Sequence, residues 1–168
     1  MKKTIYAVVF LALLFSSCAN EFNKVYKSTD NNFKYEYAKE CFAKGKYVRA
    51  STLLQGLVTM QKGSDNAQES LYMLGMSEFN SRDYEGASAT FKKYCQSYPK
   101  GSYTEEARFL IGMSLYNCTP EPRLDQSQTV NAITAFQEYI DLYPDGKQKK
   151  DAQQRLFELQ DKLVQKEL

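Results

Sequence analysis

This 168-residue sequence has no histidine and no tryptophan, and its four cysteines include no C-x-x-C pair. Because the usual zinc sites need histidine or closely spaced cysteines, we expect no metal site. The chain also lacks a nucleophile elbow and a glycine-rich phosphate loop, and general acid–base chemistry would fall to scattered carboxylates. These absences predict a protein that is not an enzyme and that holds no diffusible cofactor.

A net charge is also lacking once the first residues are set aside. The chain has 22 Lys and Arg against 20 Asp and Glu, and Lys2 and Lys3 supply the whole excess. The neutral remainder has no electrostatic footprint for nucleic acid, and no long basic run that would bind a charged lipid surface. We therefore expect no nucleic-acid partner, and membrane contact only through an anchor.

Residues 1–17 have the features of an export signal. Lys2 and Lys3 precede an apolar run over residues 5–15, which is shorter than the roughly 20 residues that span a bilayer. The small residues Ser16 and Ser17 follow this run, as in a secretory signal. The alternative is an uncleaved signal anchor, which the short run disfavours.

Phe15-Ser16-Ser17-Cys18 resembles the lipobox of bacterial lipoproteins, although phenylalanine stands where leucine is usual. In that group the cysteine thiol takes the lipid and becomes the new N-terminus. The resemblance implies a covalent lipid on Cys18 and a flexible tether over residues 18–32; the alternative is ordinary cleavage beside a chance cysteine. Because Ala19 is not the aspartate of inner-membrane retention and no acidic run follows, we expect the periplasmic face of the outer membrane.

From Phe33 onward the sequence repeats itself. Matching residues recur 37 positions apart: Ala38, Gly75 and Gly112; Tyr47 and Tyr84; Ala50 and Ala87; Leu54 and Phe91. The next copy lies 45 positions on: Ala87 and Ala132, Phe91 and Phe136, Pro99 and Pro144. The difference between 45 and 37 predicts an eight-residue insertion within residues 117–129. Self-similarity at this period is typical of a helical solenoid.

The recurring residues indicate two paired helices in each unit. Small residues let the helices approach closely, and the large residue four positions after Ala50 or its equivalent fills the space. Tyr98-Pro99-Lys100-Gly101 and Tyr143-Pro144-Asp145-Gly146 end the second helices, because proline cannot continue a helix and glycine accepts the turn. The order resembles the tetratricopeptide repeat, although Lys62 replaces the first proline. It implies an all-α, right-handed helical solenoid over residues 33–168, with three full units and a further incomplete one.

Each first helix also carries large side chains on the face away from its small residue, spaced seven apart and so on one side of the helix. In tetratricopeptide domains this column lines a concave groove, where exposed apolar area marks a partner site and methionine adapts to varied ligands. The predicted peptide-groove residues are Tyr35, Phe42, Tyr72, Met76, Phe79, Phe109, Met113 and Tyr116. The alternative is that these residues pack between repeats as part of the core.

The three cysteines after Cys18 lie far from one another in the repeat pattern. Cys41 falls among core positions, Cys95 lies on a second helix and Cys118 lies at the edge of the insertion. Burial as small hydrophobic residues is the usual role of such a cysteine. We expect three free thiols.

The lipobox, the repeats and the insertion together resemble the BamD family, lipoproteins of the outer-membrane β-barrel assembly machinery. The most specific stretches are LDQS at 124–127, AITAFQEYI at 132–140, YP at 143–144 and DAQQRLFELQDKL at 151–163. The resemblance implies an adaptor that binds unfolded barrel precursors, a barrel-forming subunit similar to BamA and other members of the complex. In this family, further C-terminal repeats contact BamA. These repeats have no counterpart here because the sequence stops at Leu168, so we expect either a truncated chain or a short relative.

Two other kinds of envelope protein are alternatives. The coordinator associated with Tol–Pal shares the Tyr-Pro-x-Gly style of repeat, but it usually has a coiled coil where this chain has only residues 19–32. Glycan-binding outer-membrane lipoproteins of nutrient uptake use similar repeats on a far longer chain.

Overall fold

The computed structural model describes residues 21–60, 63 and 66–167, with side chains to Gln165, and over these residues the regular elements are all α-helices. They are α1 (residues 21–27), α2 (Asn31–Ala43), α3 (Tyr47–Met60), α4 (Ala67–Asn80), α5 (Tyr84–Ser97), α6 (Thr104–Asn117), α7 (Ser127–Leu142) and α8 (Lys149–Glu167). The predicted all-α fold is confirmed. The predicted signal peptide and Cys18 lie outside the described residues. Within the described part of the chain, no helix combines the length and apolar character needed to cross a bilayer.

The helices stack as consecutive pairs. Each helix from α2 to α7 packs against the next, and first helices of neighbouring pairs also meet, as α2 meets α4 and α6 meets α8. The pairs α2–α3, α4–α5 and α6–α7 therefore correspond to the three predicted repeats, and α8 opens a further one. Each pair buries its apolar stripe against the next pair, which is how a solenoid obtains a continuous core.

A glycine of the first helix meets a phenylalanine of the second in two of the pairs. A Cβ on Gly75 would lie 2.7 Å from the ring of Phe91, and a Cβ on Gly112 would lie 2.7 Å from the ring of Phe136. Both rings are fully buried. The equivalent residues of the first pair, also fully buried, are Ala38 and Leu54. Small residues thus set the distance between paired helices, as predicted.

The glycines of the two Tyr-Pro-x-Gly segments supply space rather than backbone freedom. Helices α5 and α7 end just before these segments, as predicted. Neither Gly101 nor Gly146 is among the residues with a positive φ. A Cβ on Gly101 would lie 2.6 Å from the phenol oxygen of Tyr94, and one on Gly146 would lie 2.5 Å from that of Tyr139. The interpretation that glycine accepts the turn is therefore corrected: it leaves room for a buried tyrosine.

Helix α1 belongs to the packed body. Val25 is fully buried in the core cluster of the first helix pair, and Phe22 packs against the same cluster. The flexible tether predicted over residues 18–32 therefore does not include residues 21–27, because their apolar side chains are covered by the first pair. Only two residues of sequence lie between Cys18 and α1.

The insertion between α6 and α7 folds around the buried side chain of Gln126. Its amide nitrogen donates hydrogen bonds to three backbone carbonyls, those of Glu121, Pro122 and Leu124. Its side-chain oxygen accepts a hydrogen bond from Thr129 Oγ1 at 2.6 Å. The predicted insertion is thus an ordered loop that leads into α7.

The three described cysteines are free thiols, as predicted. Cys41 and Cys95 are buried, whereas Cys118 is partly exposed at the end of α6. Burial raises the pKa of all three thiols. The unreactive thiol form is therefore favoured at neutral pH.

Candidate peptide groove on the first helices

The predicted groove residues follow the first helices α2, α4 and α6, but they do not share one surface. Three of them line an open hollow between α2 and α4, namely Phe42, Tyr72 and Met76. Four others pack against core clusters outside this hollow, namely Phe79, Phe109, Met113 and Tyr116. The eighth, Tyr35, is buried.

The hollow has a volume of about 240 Å³ and a mainly apolar lining. Phe42 contributes from α2, and Tyr72 and Met76 contribute from α4. The lining is completed by residues outside the predicted set, namely Lys39, Glu69, Met73 and Tyr103. Such a concave apolar site with a few polar groups at its edge is the usual form of a binding pocket.

Tyr72 forms a rigid wall of the hollow. Its ring stacks on Tyr103 with centroids 4.2 Å apart and planes 10° from parallel. It also meets the rings of Phe91 and Tyr94 at 6.0 and 5.9 Å. Burial, together with a hydrogen bond from the phenol to Glu106, raises the pKa of Tyr72. The side chain is therefore neutral at physiological pH and held on several sides.

Lys39 and Glu69 give the hollow a charged rim that Tyr35 supports. The phenol of Tyr35 donates a hydrogen bond to Glu69 Oε2 at 2.8 Å. The ammonium group of Lys39 lies 5.2 Å from the centroid of the Tyr35 ring. Burial and the hydrogen bond to Glu69 raise the pKa of Tyr35. Tyr35 is only 2% exposed, so it contacts the two charged residues from below. The prediction that Tyr35 lines the groove is therefore wrong.

Phe79 packs between the helices of its own repeat. Its ring meets Tyr84 edge to face, with centroids 5.4 Å apart. Phe42 and Tyr47 make the equivalent contact at 5.6 Å in the preceding repeat. Phe42 differs from Phe79 because it also borders the hollow.

Phe109 and Met113 on α6 are partly buried against the third core cluster. The ring of Phe109 meets Phe136 at 6.0 Å and Tyr139 at 5.6 Å. Tyr72 makes the equivalent contacts one repeat earlier, with Phe91 and Tyr94 of α5. The contacts of these aromatic side chains with their own second helix therefore recur from one repeat to the next. Whether the rest of each side chain is open to solvent depends on the neighbouring helix.

Helix α8 covers the last position of the column. The phenol of Tyr116 donates a hydrogen bond to Glu158 Oε2 at 2.7 Å, and the guanidinium group of Arg155 lies 5.0 Å from the ring centroid. Arg155 and Glu158 also form an ion pair at 2.8 Å. The hydrogen bond to Glu158 and burial raise the pKa of Tyr116. At this position the alternative considered for the column, packing between repeats, describes the structure.

Tyr103 is the hollow residue that the sequence pattern least revealed. It lies in the turn before α6 and not on the column of any first helix. Its equivalent 45 positions later is Gln148, so the stack on Tyr72 does not recur. An aromatic residue just after a Tyr-Pro-x-Gly segment was the one available signal.

Comparison with known proteins agrees with the architecture. The family YfiO, described as an outer membrane lipoprotein, matches residues 27–168. The chain belongs to this family. The YfiO match covers every helix from α2 to α8 and therefore the whole hollow. The resemblance to the BamD family inferred from the sequence is thereby confirmed.

A curated relative of this YfiO-family chain is the outer membrane protein assembly factor BamD of Caulobacter vibrioides. It is 21% identical over 165 residues, which are 96% of this chain and 54% of the relative. The chain thus spans about half the length of the relative that it matches.

Proposed function

We propose that this protein is a non-catalytic, lipid-anchored adaptor of outer-membrane protein assembly that binds an extended precursor segment in the hollow between α2 and α4. The family assignment and the BamD relative support the cellular role. The apolar hollow with its charged rim of Lys39 and Glu69 is the observation that carries the binding role. A barrel-assembly subunit similar to BamA and other complex members are the further partners, and the periplasmic face of the outer membrane is the location.

The chemistry of the hollow suits the end of a barrel strand. Side chains alternate along a strand, so an extended segment can place one aromatic side chain into the hollow while its neighbours point away. Tyr72 and Phe42 offer aromatic surface, and Met76 can adapt to different guests. Lys39, whose side chain is 41% exposed, can meet a terminal carboxylate at the edge.

The matched pair Met76→Ala and Met113→Ala tests this site. The two methionines are 37 residues apart and occupy the same repeat position, but only Met76 lines the hollow. The ligand is a fluorescent peptide with alternating aromatic residues and a terminal phenylalanine. We expect Met76→Ala to raise the Kd of this peptide by roughly five- to tenfold, as for an interface anchor. Met113→Ala should leave the Kd unchanged. Equal effects of the two variants, with circular dichroism showing both folded, would remove the hollow from the binding site.

The terminal carboxylate can be tested on the same assay. If Lys39 contacts the carboxylate, Lys39→Gln should weaken binding of the free-acid peptide and leave binding of a C-terminally amidated peptide unchanged. Loss of affinity for both peptides in Lys39→Gln would instead show that the lysine supports the hollow without meeting the carboxylate.

Lipid anchoring has its own test at Cys18. Labelled palmitate should enter the wild-type protein in growing cells and should not enter Cys18→Ala. Label in the variant, or none in the wild type, would contradict the anchor without bearing on the hollow.

A further inference from the structure

The packing of α1 brings the folded body close to the proposed lipid. Cys18 precedes Glu21, the first residue of α1, by three positions. Three residues of chain cannot span more than about 11 Å even when fully extended. Since Val25 fastens α1 to the first helix pair, a lipid on Cys18 would hold this end of the solenoid at the bilayer surface.

The net charge of the chain differs between the end near Cys18 and the rest. Residues 21–49 contain seven Lys and Arg and four Asp and Glu, which is a net charge of +3. Residues 50–168 contain 13 Lys and Arg and 16 Asp and Glu, which is a net charge of −3. The neutrality of residues 18–168 therefore hides a basic end, which directly follows the proposed anchor at Cys18.

The basic end also exposes apolar side chains. Tyr26 on α1 is 52% exposed and Met60 at the end of α3 is 68% exposed, and both border one open groove together with Lys34. Phe22 stacks on Tyr26 at 6.1 Å and lies under the guanidinium group of Arg49 at 5.5 Å, which holds α1 in place. Tyrosine favours the boundary between headgroups and water, and lysine near the surface is attracted to anionic headgroups.

We propose that α1 and the neighbouring groove form a second membrane contact, a surface that docks on anionic phospholipid headgroups. Lys24 and Lys27, both exposed on α1, meet the phosphates, and Tyr26 enters the headgroup layer. The contact rests on the proposed anchor for its geometry, since the lipid fixes which end of the solenoid faces the bilayer. It orients the stack so that the first repeats, and with them the hollow, lie nearest the membrane.

Binding of vesicles by the unlipidated protein isolates this contact from the anchor. The mature chain from position 18 onward, with Cys18→Ser, is mixed with vesicles of phosphatidylcholine alone or with added phosphatidylglycerol, and its co-flotation is measured. We expect flotation only with the anionic vesicles and its loss at high salt. Lys24→Glu with Lys27→Glu should lower the partition coefficient about tenfold or more, because each lysine near an anionic surface contributes to attraction.

The control reverses the same amount of charge on residues that lie outside α1 and its groove. Lys93→Glu with Lys100→Glu changes two lysines that are also exposed, on and just after α5. An equal loss in both double variants would mean that net charge and not α1 causes the attraction, and the proposal would be overturned. Absence of flotation of the Cys18→Ser protein with its lysines intact would overturn it as well. Palmitate labelling of Cys18 reports the anchor independently, so failure of the anchor and failure of the contact are distinguishable.

Discussion

The phenol oxygen of Tyr94 occupies the space that a side chain at Gly101 would need. It lies 2.6 Å from the position of a Cβ there and accepts a hydrogen bond from the backbone N–H of Tyr103 at 3.3 Å. Tyr139 repeats the arrangement one unit later, where its oxygen accepts a hydrogen bond from the N–H of Gln148 at 3.2 Å. A buried tyrosine thus joins α5 to the start of α6, and another joins α7 to the start of α8.

Gly101→Ala should therefore destabilise the fold by about 1–3 kcal/mol, the usual cost of overpacking. Tyr94→Phe removes the oxygen, so the alanine should cost less in the double variant, and thermal or urea unfolding of the four proteins gives the coupling energy. Gly56→Ala is the control, because nothing lies within 4 Å of its Cβ in the middle of α3. It should be neutral or stabilising by up to about 1 kcal/mol. Additive effects at Tyr94 and Gly101 would contradict the steric explanation.

A similar exchange is available where paired helices touch. Gly112→Leu should lower the free energy of unfolding by more than the roughly 1–3 kcal/mol of ordinary overpacking, since even its Cβ would meet the ring of Phe136. Gly112→Ala with Phe136→Leu recreates the pair found at Ala38 and Leu54, so it should be more stable than Gly112→Ala alone. Denaturant midpoints decide this, and an unchanged midpoint for Gly112→Leu would mean that the helix faces are misassigned.

Glu78 gives the fold a dependence on pH. It is only 5% exposed at a position that Cys41 and Leu115 occupy in the adjacent repeats, and its Oε2 has no hydrogen-bond partner. Burial raises its pKa despite hydrogen bonds from Thr90 and Gln55. A carboxyl group with a raised folded-state pKa stabilises most below its unfolded pKa and loses that contribution as pH rises through the folded pKa.

The stability of the wild type relative to Glu78→Leu should therefore fall as the pH rises from about 4, near the unfolded pKa, through the higher folded pKa of Glu78. At neutral pH the variant should be more stable by about 1–3 kcal/mol, the usual cost of an unsatisfied buried polar group. Glu138→Gln, which neutralises an exposed carboxylate on α7, is the control and should leave the pH profile unchanged. Urea unfolding at several pH values measures both, and parallel profiles for wild type and Glu78→Leu would refute the assignment.

The amino-acid sequence by itself determined the order of helices α2 to α8, their pairing and the family. These features depend on local patterns that recur at a constant spacing, such as Gly75 with Gly112 and Phe91 with Phe136, so each repeat confirms the others. The same periodicity placed the large residues on one side of the first helices. It could not say which of them are covered, because coverage depends on side chains from a neighbouring repeat.

Only the tertiary structure decided that Tyr35 is buried under Glu69 and Lys39, that Tyr116 meets α8, and that Tyr72 remains beside an open hollow. It also decided that residues 21–27 pack as a helix, since seven residues carry too little periodicity to predict docking. The glycines after the prolines show a similar division: the sequence predicted where α5 and α7 end, but the need for glycine comes from the phenol oxygen of a tyrosine seven residues earlier. Contacts between repeats join residues far apart in the sequence, so no local pattern predicts them. These contacts decide which side chains remain open at the hollow.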